Sequence, residues 1–359
     1  MKSCTYRAYG LRALAAAALA LTWSAGPVIG AGSVASAADT AHTGAAASCD
    51  QACLEAIAER YLAALLAHDP AKAPFARGAR YTENGVELTL PDGLWRTVSQ
   101  IGTYRLFVAD PTWGEVGFIV KARENGAPVL AATRLKVVHG RITQIESIVA
   151  RLSSTLGGTP SGLLGRSDLG SQPRQQFLTV LPARERHTRA QLIAIVDRYF
   201  SGIENNTGTK PPPFADDCRR IENGTQTTGR PARPGAVPGP LNYSCKQAFA
   251  LGYYHEDTRL RDRRVLAVDP TRGLVYTSMG LDHDATVRSY RLKNGRTVTV
   301  RNTAPWTWLA HEVFEVNGRG EISQIEAVLL SVPYGMRPGW STGVHLASPQ
   351  ATRDRFKEY

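Results

Sequence analysis

A chain of 359 residues, 43% hydrophobic and 20% charged, is long enough to bury more than one core of ordinary domain size. Its net charge of +11 comes from arginines scattered among acids, with no basic run and no interleaved aromatics, which reads as a solvated surface and argues against a nucleic-acid module. No H-E-x-x-H, P-loop or strand-borne G-x-G-x-x-G is present, so the common metalloprotease, nucleotide and dinucleotide fingerprints are missing.

Residues 1–37 read as a secretory signal peptide. A short basic stretch leads into "ALAAAALALTWSAGPVIG", and the small residues Ala35-Ser36-Ala37 offer a cleavage site. The apolar run is too short, and too soon broken by Gly and Pro, to span a membrane, and no second one follows. Loss of Lys2, Arg7 and Arg12 takes the net charge from +11 to +8. Residues 38–48 read as an unstructured mature start. Cys4 leaves with the signal, and the four remaining cysteines admit three pairings. The simplest joins Cys218 to Cys245 across a long loop and Cys49 to Cys53 at a helix start, as suits an exported protein. The C-x-x-C pairs of a zinc site are absent, so no metal is expected.

From residue 49 the chain states one pattern twice. "CLEAIAERYLAALLAHD" puts Leu54, Ile57, Tyr61 and Leu65 on one helical face; "TRAQLIAIVDRYFSGIE" does the same with Leu192, Ile195, Val196 and Tyr199. Thr188 and Gln191 have the spacing of a capping box at the start of the second helix. "PFARGARYTENG" (74–85) answers "PFADDCRRIENG" (213–224), "VADPTWGEV" answers "AVDPTRGLV", and "GRITQIESIVA" (140–150) answers "GEISQIEAVLL" (320–330). Order is kept while the offset grows from Glu83/Glu222 through Asp110/Asp269 to Gly140/Gly320, so the second copy carries loop insertions, one of them "GRPARPGAVPGP". Tandem duplication is the economical reading.

Each unit reads as an amphipathic helix followed by an antiparallel meander, with turns at Asp-Pro-Thr-x-Gly, Asn125-Gly126 and His139-Gly140. The fold class is therefore α+β, in two tandem domains at 49–152 and 188–340. A Gly/Ser/Pro linker at 153–187 joins them, and a tail at 341–359 follows. The "RY" helix exits, "YTENG", "GLW" and the G-x-I-x-x-I-E endings resemble the nuclear transport factor 2-like (SnoaL-like) superfamily, and within it a group of secreted members of unassigned activity. That resemblance implies a cone: a helix packed in a strongly curved sheet, with a pocket at the open end. Its enzymes, ketosteroid isomerase and scytalone dehydratase among them, use Asp, His or Tyr without a metal, while other members bind ligands or dimerise. The same resemblance implies that the two cones pack together as an intramolecular pseudo-dimer.

Strand alternation singles out the candidate chemistry. In "WTWLAHEVFEV", Trp308, Ala310, Glu312, Phe314 and Val316 share a mainly apolar face, so Glu312 either titrates high there or pairs with an arginine. His283 continues the apolar face of Val275, Met279 and Leu281, while Asp282 faces away; Asp282 or Asp284 would orient it as a base, or the segment is a solvated strand end. The first copy has Thr133 in place of Glu312 and no histidine in place of His283.

Tyr81, Glu83, Trp95 and Tyr104 are candidate ligand contacts of the first copy, Trp306, Trp308 and Tyr334 of the second. Glu83-Asn84-Gly85 and its repeat Glu222-Asn223 read equally as turn architecture. "PYGMRPGW" (333–340) is either a lid or a strap onto the other domain. The expected function is a cofactor-free lyase, isomerase or dehydratase acting outside the cell on a small apolar or aromatic compound, with His283, Asp282 and Glu312 as its acid–base set. The alternatives are a non-catalytic ligand binder and a structural module.

Overall fold

The structure, a computed structural model, describes residues 49–151, 168–204, 206, 212–301, 303–340 and 344–345. The proposed signal peptide, the first part of the linker up to residue 167 and most of the tail lie outside the described residues. The first unit comprises α1 (Gln51–Leu66), β1 (Phe75–Glu83), β2 (Val86–Leu88), α2 (Leu94–Thr97), β3 (Val98–Asp110), β4 (Glu115–Glu124), β5 (Ala127–Val138) and β6 (Arg141–Arg151). After a short α3 (Gln175–Leu178), the second comprises α4 (Arg189–Glu204), β7 (Phe214–Glu222), β8 (Thr225–Gln226), α5 (Cys245–Leu251), β9 (Arg259–Asp269), β10 (Leu274–His283), the hairpin β11 (Ser289–Arg291) and β12 (Thr297–Thr299), then β13 (Trp306–Val316), β14 (Ile322–Val332) and β15 (Val344–His345).

The two sheets have the same wiring. The first runs β2-β1-β6-β5-β4-β3 and the second β15-β9-β10-β13-β14-β7-β8, so β3 to β6 answer β9, β10, β13 and β14. Neighbours are antiparallel except β1 with β6 and β7 with β14, which run parallel. The registers coincide residue by residue: Glu83 opposes Ser147, which opposes Thr133, as Glu222 opposes Ala327, which opposes Glu312. Two tandem α+β units are present, each with a helix laid against a mixed sheet.

Local chemistry explains the repetition. Asn84-Gly85 and Asn223-Gly224 both hold two successive positive φ angles, the geometry of a tight hairpin. The Asn84 side chain bonds the backbone of Val149 on β6, and Asn223 does the same to Leu329 on β14. The shared Glu-Asn-Gly phrase thus ties the first strand of each unit to the last. Gly273 closes the β9–β10 turn where a Cβ would sit 2.2 Å from the Val316 carbonyl oxygen, so only glycine fits. Asp50 caps α1 through the Cys53 amide, beside the Cys49–Cys53 disulfide; Cys218–Cys245 ties α5 to β7.

Three cores result. Each helix packs on the inner face of its own sheet, α1 with Phe118 and Val120, α4 with Phe314 and Ile325. The third lies between the sheets, where Leu106, Ile119 and Ile148 of the first meet Tyr276, Leu309 and Val328 of the second. Gly117 makes room for the Tyr276 ring, since a Cβ would stand 2.1 Å from it.

Charge is buried there too. Arg264 of β9 forms an ion pair with Glu146 of β6, with Nη1 at 3.1 Å from Oε2, and Arg134 approaches the same carboxylate at 3.2 Å. The reciprocal glutamate of the other copy, Glu326, accepts from the Tyr104 hydroxyl of β3. Tyr104 is therefore an inter-sheet residue and not a contact of the first unit's concave face, because the bulges between Ile101 and Arg105 reset which side the strand presents. The 333–340 segment behaves as a strap: Trp340 is buried, donates to Thr82 Oγ1 at 2.6 Å and lies under Arg80 at 4.1 Å, all across the first unit.

Glu146→Ala removes the shared countercharge of two buried arginines and is expected to cost about 3–5 kcal/mol in chemical denaturation. Glu87→Ala, which breaks an exposed pair with Arg80, should stay within about 1 kcal/mol.

Candidate functional site

Aromatic side chains pack the inside of the first unit's cone. Tyr61, Phe75, Trp95 and Phe118 fill it edge to face, with Tyr61 and Trp95 centroids 5.2 Å apart, and Trp95 Nε1 donates to Tyr61 Oη at 3.1 Å. Glu83 is consumed as a bracket: its carboxylate accepts from Tyr81 Oη at 2.6 Å, the Leu94 amide at 2.7 Å and Arg151 at 2.7 Å. Tyr81, Glu83 and Trp95 thus hold α2 as a plug across the cone and do not line an opening there.

The second unit is open. Its concave face holds a cavity of about 410 Å³ walled by Tyr199 of α4, Arg220 and Glu222 of β7, His283 of β10 and Trp306 and Trp308 of β13. Pro240, Leu241 and the β11–β12 hairpin residues Val298 and Thr299 form its rim. That size suits a small organic molecule. α5 replaces the plug. It ends at Gly252 in the left-handed conformation, and the turn that follows carries Tyr254, Glu256 and Asp257 into the cavity wall.

His283 sits where β10 meets this turn. Its ring lies flat on Trp306, centroids 4.0 Å apart at 10°, and edge-on to Trp308 at 4.7 Å. Nε2 is 2.6 Å from Asp257 Oδ1, while Nδ1 is buried with no hydrogen-bond partner among the described residues. A carboxylate on Nε2–H fixes the tautomer that leaves Nδ1 as a lone-pair acceptor, the arrangement of an oriented base.

Asp282 is not that carboxylate. It points to the opposite face, where Arg259 and Arg261 reach it at 2.7 and 2.9 Å and Thr307 also donates. Burial opposes its charge, but these donors hold the carboxyl below its ordinary range. Asp284 is spent on Thr286 in the following loop. Tyr334 is 45% exposed, lies over Arg259 and stands apart from the cavity lining.

Glu312 is fully buried on the concave face, level with Glu222 across β14, both opposite Ala327. Arg220 bridges the two, at 2.8 Å to Glu312 Oε1 and 2.5 Å to Glu222 Oε1, and Glu312 Oε2 has no partner among the described residues. Burial pushes the Glu312 carboxyl up to about 7 against the pull of Arg220, with the charges of Glu222 and Asp257 adding to the rise. Its carboxyl is thus both raised by burial and paired with an arginine.

Sequence reasoning missed Asp257, Arg220, Tyr254 and Glu256 as parts of one site. His255-Glu256-Asp257 is visible in the sequence as a polar cluster, but only the paired strands carry it to His283. Among the described residues, no group of three or more His, Cys, Asp or Glu is placed to hold a metal ion, and no helix is long and apolar enough to cross a membrane.

A family profile described as a domain of unknown function (DUF8021) matches residues 47–149 and 185–329, the body of both units. The chain belongs to this family. No curated protein matches it. Among solved structures, the C. albicans Mtr2–Mex67 M domain complex aligns over 40% of this chain and 96% of that one, at 16% identity and a TM-score of 0.24.

Because the folded state binds the Glu312 proton more tightly than the unfolded chain, the stability this gives is full below about pH 4.5 and is lost as pH rises through about 7. Melting temperatures of Glu312→Gln should therefore gain on the wild type as pH is raised from about 5 to about 8. A difference independent of pH would show that the carboxyl titrates normally.

Proposed function

We propose that the second-unit cavity binds a small, largely apolar or aromatic molecule and performs acid–base chemistry on it, as a metal-free lyase, isomerase or dehydratase. The observation that carries this reading is the Asp257–His283 pair set against Trp306 in the cavity wall. In it, His283 Nδ1 takes a proton from the ligand, Asp257 holds the imidazole in the required tautomer and stabilises the imidazolium that forms. Glu312, half protonated near neutrality behind Arg220, is the acid of the set. General-base catalysis of this type contributes about 10²–10⁴-fold.

The reading extends to the fold and the setting. Each unit is taken as a nuclear transport factor 2-like cone, the two joined as an intramolecular pseudo-dimer. The protein is taken to be exported, which its two disulfides support. A non-catalytic binder is the second reading. It is favoured by the 18 lining residues of one aromatic-walled cavity and by the stacking that shields His283, neither of which requires turnover.

Deuterium incorporation at the α-carbon of small aryl ketones in heavy water, followed by NMR, tests the base without knowledge of the natural substrate. The wild type should accelerate exchange, and both His283→Ala and Asp257→Asn should lower it by about 10²-fold or more with folding retained. Ketones that bind without exchanging would favour the binder. Exchange that survives His283→Ala would remove His283 from the chemistry.

A further inference from the structure

The charges around the cavity do not balance. Glu222, Glu256 and Asp257 line it and Glu312 lies directly behind, all within a protein whose overall charge is strongly positive. Against these stand Arg220, already shared between Glu222 and Glu312, and Arg301 at the exposed rim. The wall also presents aromatic groups, Tyr199, Tyr254, Trp306 and Trp308, whose ring faces attract cations.

The unsatisfied atoms point the same way. Glu256 Oε2 and His283 Nδ1 are buried without hydrogen-bond partners among the described residues, and both are acceptors when Nε2–H serves Asp257. Two buried acceptors beside an excess of carboxylate call for a ligand rich in N–H donors. The third open atom, Trp306 Nε1, is a donor on a side chain only 5% exposed.

Resting on the reading of this cavity as a ligand site, we propose that its ligand is an organic cation: an apolar or aromatic amine, protonated at nitrogen, held by Glu256 and the tryptophan faces. Two further facts agree. Burial and the neighbouring Asp257 charge raise the Glu256 carboxyl, as expected where positive charge is in short supply. Tyr290 of β11 hydrogen-bonds Glu256 and stacks on His255, so the inserted hairpin holds this carboxylate in place. The second copy's insertions thus supply the cation-recognising end of the cavity.

Calorimetric titration with 3-phenylpropylamine, 3-phenylpropanol and 3-phenylpropionate, three probes of one shape and three charges, tests this directly. The amine should bind about tenfold or more tightly than the alcohol, and the carboxylate most weakly. Glu256→Gln should lower amine affinity by about tenfold and alcohol affinity by less, which separates lost charge from lost folding. If the alcohol equals the amine, or the carboxylate binds best, the cation proposal falls while the cavity stands as a ligand site. If none of the three binds the wild type, both the cavity reading and the cation proposal fall.

Discussion

Glu146 is a fully enclosed carboxylate whose countercharges come from both halves of the protein, Arg134 from its own sheet and Arg264 from the other. A charge so placed is tolerable only if its partners arrive with it, since desolvating it alone costs several kcal/mol. Burial works against its ionisation, yet Arg264, His311 and Arg134 together hold the carboxyl well below the usual carboxylate range. The folding of the two units is thereby coupled, and the outer faces of both sheets are committed to each other. What remains open is the inside of the second cone.

The duplicated "QIE" phrase takes its meaning from this contact. Each of its glutamates crosses to the first long strand of the opposite copy, Glu146 to Arg264 on β9 and Glu326 to Tyr104 on β3. The copies have nonetheless diverged in electrostatics. Arg134 stands across from Glu146, but Val313 stands across from Glu326. Without a facing arginine, burial raises Glu326 to about 7, so one glutamate acts as a full charge while its twin is only partly ionised near neutrality. One sequence motif has become two physical devices.

Much of this architecture was legible in the sequence because it rests on local rules. Helix periodicity, Asn-Gly turns and Asp-Pro-Thr-x-Gly corners recur at matching places, and strand alternation assigned Glu312 and His283 to the concave face and Asp282 to the other. The partner of His283 was not legible. Counted from the Leu274–Asp269 turn, His283 would lie opposite Leu260, but two one-residue register shifts in β9 bring Arg259 level with Asp282 and the Thr258 amide onto its carbonyl. Asp257 then falls beside His283. Asp262, in one of those shifts, has a φ of 50°, a backbone state that no side-chain pattern announces. Strand β3 also shifts register in mid-strand, and Tyr104 comes to lie between the sheets.

Why the second cone is hollow follows from two exchanges at equivalent positions and one loss. Phe118, which packs against Tyr61 in the first unit, is replaced by Thr277, and Thr133, bonded to Ser147 at 2.9 Å, by Glu312. The Trp95 plug on α2 has no counterpart inside the second cone, where α5 is pinned to β7 by Cys218–Cys245. Removing two fillers would ordinarily collapse a core or leave a costly void. Here Arg220 and Glu312 occupy the depth as an ion pair, and the β11–β12 hairpin borders the opening. A cavity set against a buried charge pair is a costly structure, which is the physical reason to look for its function in what it holds.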